Sequence, residues 1–125
     1  KFVEVRVKGG KTKLDCRNIA YSIANSPLVK TALFASDPNW GRLVMAVGKA
    51  DASIDTLKVD IQLNDLFLMK MGQIERNYTE EKGFFEMKKP SIVITVNLNL
   101  GKHEEIEWTT DLSYDYVKIN SEYRT

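Results

Sequence analysis

Hydrophobic and polar positions alternate strictly at the start of the chain. In "FVEVRV" the side chains of Val3, Val5 and Val7 fall on one side and Glu4 and Arg6 on the other, the period of a half-buried strand that ends at Gly9-Gly10. The period then changes. Cys16, Ile19, Ala20 and Ile23 follow the i, i+3, i+4, i+7 spacing of an amphipathic helix from about Lys13 to Asn25. Asn25-Ser26-Pro27 breaks it, because a residue before proline is pushed out of the α region, while Ser26 can cap a new helix with Pro27 at its first position. A second short helix is expected near Pro27 to Phe34.

The run "SDPNWGR" at 36–42 follows. Asp37 can accept from the backbone amides of the next turn and Pro38 suits a first helical position, with Trp40, Leu43, Val44 and Val47 forming the buried stripe. Gly41 and Gly48 on nearly one side of that helix predict close approach of another backbone. After Gly48 the period returns to two. Leu57, Val59, Ile61 and Leu63 alternate with polar residues, and "LFLM" after Asn64-Asp65 reads as the returning arm of a hairpin. Polar residues fill 72–83, and a short helix is expected from about Thr79 to Lys88, ended by Pro90. "SIVITVNLNL" then aligns Ile92, Ile94, Val96, Leu98 and Leu100, and Gly101-Lys102 predicts a hairpin turn to a partner strand over Glu104 to Thr109. A helix near Ser113 to Ile119 and an extended tail close the chain.

This order predicts an α+β fold, a mainly antiparallel sheet with helices packed on one face. The expected boundary lies near Ser26-Pro27, with 1–26 as the end of an upstream catalytic domain and 27–125 as a C-terminal α+β domain. At 125 residues and 43% hydrophobic side chains, the chain can form an ordinary core. Eighteen basic and seventeen acidic residues leave a formal charge of +1, so no global field points to nucleic acid. No apolar run has the length of a membrane span, and a cytoplasmic location is expected. The first residue is Lys1 rather than Met, which suggests processing, proteolysis or an excised domain.

Candidate chemistry is sparse. The single Cys16 excludes an intramolecular disulfide and a thiolate zinc site, and its place on the apolar stripe predicts an inert core residue. The single His103 falls in a predicted turn beside Glu104 and Glu105, where with Glu107 it reads as a solvated edge. Met69, Met71 and Met87 read as core filler. "KGGK" at 8–11 is a basic turn with too few glycines for a phosphate loop. Arg42 could form an ion pair or bind an anion.

Two stretches carry a specific resemblance: "SPLVKTALFASDPNWGRLVMAVGKA" from Ser26 to Ala50 and "WTTDLSYDYVKINSEYRT" from Trp108 to Thr125. Together they resemble the C-terminal part of the β chain in the ornithine acetyltransferase family, the bifunctional glutamate N-acetyltransferases of arginine biosynthesis. The resemblance extends over essentially the whole chain. It implies a precursor that cleaves itself before an internal threonine, which then carries acetyl from N-acetylornithine to glutamate without a cofactor. Some members also use acetyl-CoA. It implies as partners the upstream remainder of the same protein and further copies in a homo-oligomer, with no nucleic acid and no membrane. Asn120 and Thr125 in the terminal "INSEYRT" correspond to substrate-contacting positions. No catalytic residue and no metal ligand is expected among these residues, so the isolated chain is expected to be inactive. The rival expectation is a non-enzymatic α+β interaction module in which Asn120 and Thr125 are irrelevant.

Overall fold

In the computed structural model, which describes residues 1–123, the alternation of the opening segment becomes strand β1 (Phe2–Gly10). Three helices follow: α1 (Lys13–Ala24), α2 (Pro27–Phe34) and α3 (Trp40–Gly48). Then come β2 (Asp60–Leu63), β3 (Leu66–Lys70), β4 (Gln73–Ile74), α4 (Glu80–Met87), β5 (Ser91–Asn97), β6 (His103–Thr110) and α5 (Tyr114–Glu122). The strands form one six-stranded sheet in the order β4-β3-β2-β5-β1-β6. Only β1 and β5 run parallel; the other neighbours are antiparallel.

Alternation decides the faces. Val3, Val5 and Val7 of β1 stand opposite Ile92, Ile94 and Val96 of β5, which in turn meet Ile61 and Leu63 of β2, and all are essentially inaccessible to water. Helices α1 to α4 cover this face with Cys16, Ile19 and Ile23, with Val29 and Leu33, with Leu43, Ala46 and Val47, and with Met87. The α+β architecture with helices on one face of a mainly antiparallel sheet is therefore present. Three of these helices begin at a hydroxyl cap. Thr12, Ser26 and Thr79 accept from the amides of Asp15, Val29 and Lys82, and Pro27 follows Ser26 at the first helical position.

One expected pairing is absent. β5 and β6 do not form a hairpin, because β1 lies between them, parallel to β5 and antiparallel to β6. The connecting segment instead crosses the end of β1: the amides of Leu100 and Gly101 donate to the Gly9 carbonyl at 2.8 and 2.7 Å. A Cβ on Gly101 would lie 2.3 Å from the Gly10 carbonyl oxygen, so the crossing requires glycine. The boundary expected at Ser26-Pro27 falls between α1 and α2. On either side of it, β1 and α1 share their sheet and buried core with the later elements.

Smaller differences have local causes. β2 begins at Asp60, and Leu57 lies in the preceding turn, 72% exposed, its amide donating to the Asp55 carboxylate. Met71 is no core filler: it occupies a turn with φ 47° and is 54% exposed, whereas Met69 and Met87 are buried. The terminal helix extends to Glu122 rather than Ile119.

Candidate functional site

The run 36–42 is a structural junction. Its helix is capped by Asn39, whose side-chain oxygen accepts from the Arg42 amide at 3.1 Å, not by Asp37. Asp37 instead accepts from the Asn39 side-chain amide at 3.1 Å and orients the cap, and Pro38 precedes the helix. Leu43, Ala46 and Val47 form the buried stripe, while Trp40 and Val44 are 38% and 37% exposed. The expected backbone approach at the glycines is also absent. A Cβ on Gly48 would meet nothing within 4 Å, and one on Gly41 only the Asn39 side chain at 3.4 Å.

The glycine that the junction does require is in the opposite helix. A Cβ on Gly83 of α4 would lie 2.5 Å from the Tyr78 hydroxyl and 2.7 Å from Pro38. This close seat buries the Tyr78 hydroxyl without a hydrogen-bond partner. Burial, with Glu80 and Asp37 nearby, pushes its pKa up to about 12. Arg42 donates to the Leu28 carbonyl at 2.9 Å and lies 3.4 Å from the Thr31 hydroxyl, tying α3 to α2. Lys1 secures the same corner from the sheet, its ammonium donating to the Leu33 carbonyl and, at 2.7 Å, to the Ser36 hydroxyl. Burial lowers the Lys1 pKa, opposed by Asp111.

The other candidate groups are accounted for locally. Cys16 is buried, its thiol 3.3 Å from the His103 carbonyl, and burial raises its pKa. His103 opens β6 and is exposed. Glu105 pairs with Lys13 at 3.6 Å, and Glu104 stands 3.5 Å from Arg6 Nε. That distance suffices for an ion pair, but the Nε is not aligned for a hydrogen bond and is left without one. Arg6 also donates to Glu4 at 3.0 Å. Among the described residues, no cluster of His, Cys, Asp and Glu is arranged to hold a metal ion.

The hairpin turn expected at Asn64-Asp65 is present, and the side chain of Asn64 also bonds to groups beyond the turn. At φ 55° Asn64 turns β2 into β3, pairs with the backbone of Val93 and donates to Glu86 at 2.9 Å. The Asn-Asp pair in the turn was its visible signal. Bonds from Lys89 and Asn64 hold the Glu86 carboxyl below its ordinary pKa.

Asn120 lies on α5, far in sequence from the junction. Ser113 caps this helix by accepting from the Tyr116 amide at 2.9 Å, and Asp115 sits in the first turn, where the helix dipole favours an anion. The Asn120 amide donates to the Tyr116 carbonyl at 2.8 Å and its side chain faces water. Thr125 lies outside the described residues.

The comparisons with known proteins decide the family. The ArgJ family model matches residues 1–125. The chain belongs to the ArgJ family. It is 48% identical, over its whole length, to the "Arginine biosynthesis bifunctional protein ArgJ" of Psychrobacter arcticus, and equally to that of Pseudomonas fluorescens. It spans 31% of the length of these ArgJ relatives. The crystal structure of the ArgJ protein of Bacillus halodurans superposes with a TM-score of 0.92 at 32% identity, over 98% of this chain and 58% of that one. No helix among the described residues is long and apolar enough to cross a membrane.

Proposed function

We propose that these residues form the C-terminal β-chain segment of a glutamate N-acetyltransferase of arginine biosynthesis. The reading is carried by the 48% identity, along the whole chain, to proteins named as bifunctional ArgJ proteins of arginine biosynthesis. In the proposed reaction, a threonine hydroxyl outside these residues attacks the acetyl carbonyl of N-acetylornithine, ornithine leaves with its free amine, and glutamate's amine then takes the acetyl group and restores the hydroxyl. This segment contributes a packed domain and a tail in which Asn120 and Thr125 hold the amino-acid substrate. No cofactor takes part. The enzyme works in the cytoplasm as a homo-oligomer joined to the upstream remainder of the same protein. The buried Cys16 and the exposed His103, which meets Cys16 through its backbone carbonyl, support placing the nucleophile elsewhere.

Transfer of acetyl from N-acetylornithine to glutamate tests the reading. The 125 residues alone are expected to be inactive, and co-expression with the upstream remainder is expected to restore activity. In that complex, Asn120→Ala is expected to raise the KM for the amino-acid substrate about tenfold, the equivalent of one lost hydrogen bond to a charged group. Activity of the isolated chain near that of the complex would overturn the assignment of the nucleophile. An unchanged KM would remove Asn120 from the binding site.

A further inference from the structure

We draw no further inference here: the strongest candidate, the polar concavity that Glu4, Arg6, Lys8, Gln62 and Thr95 line on the sheet face opposite the helices, has Arg6 already paired with Glu4 and Glu104 and lies open in a chain that spans 31% of its relatives' length, so nothing in the structure shows what covers it.

Discussion

The two faces of the sheet are made from alternate residues of the same strands, yet they are built on different terms. On one, Val5 and Ile94 meet side by side under α1 to α4 and are sealed from water. On the other, Glu4, Arg6, Lys8 and Gln62 line an open polar concavity with Thr95, and Trp108 of β6 is 56% exposed beside them. The register makes this a division by position: Val3, Val5 and Val7 cannot share a face with Glu4 and Arg6. The difference teaches that the domain draws its stability from one face. Charged side chains on the other are compatible with folding because they keep water or a nearby opposite charge.

The sharpest test of that division is a deletion beneath the helices. Ile94→Ala removes buried methyl groups from a central strand and is expected to cost about 2 to 5 kcal/mol in a denaturant titration. A loss below about 1 kcal/mol would mean that the helix-covered face is loosely packed.

The second test concerns the seam where α4 meets the 36–42 junction. Gly83→Ala is expected to cost about 1 to 3 kcal/mol, because the new methyl group would push against both Pro38 and the Tyr78 hydroxyl. Tyr78→Phe removes a buried hydroxyl that has no partner, so it should leave the melting temperature unchanged or higher. Combined with Gly83→Ala, it should recover part of the loss, and strict additivity of the two would exclude their contact.

The smallest effect is expected on the open face. Arg6→Met in this chain should change stability by no more than about 0.5 kcal/mol, since Arg6 is itself 41% exposed and its pairs with Glu4 and Glu104 lie on the open face. A cost rivalling that of Ile94→Ala would abolish the contrast between the faces.

How much of this was legible in the sequence depends on the range of the interaction involved. Ser26-Pro27, Thr79 and the stripe Cys16, Ile19, Ala20 and Ile23 act within one or two helical turns, and all emerged as read. The strand alternation was equally local. What could not be read was the partner of each strand: the segment Leu98 to Lys102 resembles a hairpin turn, but nothing in it reveals that Gly9 will occupy the space between the flanking strands. The same limit applies to glycine. Gly41 and Gly48 drew attention because they interrupt a helix, whereas the need at Gly83 arises only from Tyr78 and Pro38 in space. For the candidate site, the pattern reached the helix that carries Asn120, while the place of Asn120 in a substrate pocket came from resemblance alone, because no local pattern marks a solvent-facing amide as a binding group.

The position of β1 between β5 and β6 also governs when the domain can assemble. The first strand must wait for partners that begin some ninety and one hundred residues later, at Ser91 and His103, so most of the chain has to be available before the sheet can close. Loops of that length must be closed before they return any pairing, which makes folding slower than local helix formation. During synthesis α1 to α3 leave the ribosome well ahead of the strands that shelter their apolar faces, and the interval before β6 arrives is the period in which this domain is most exposed to aggregation.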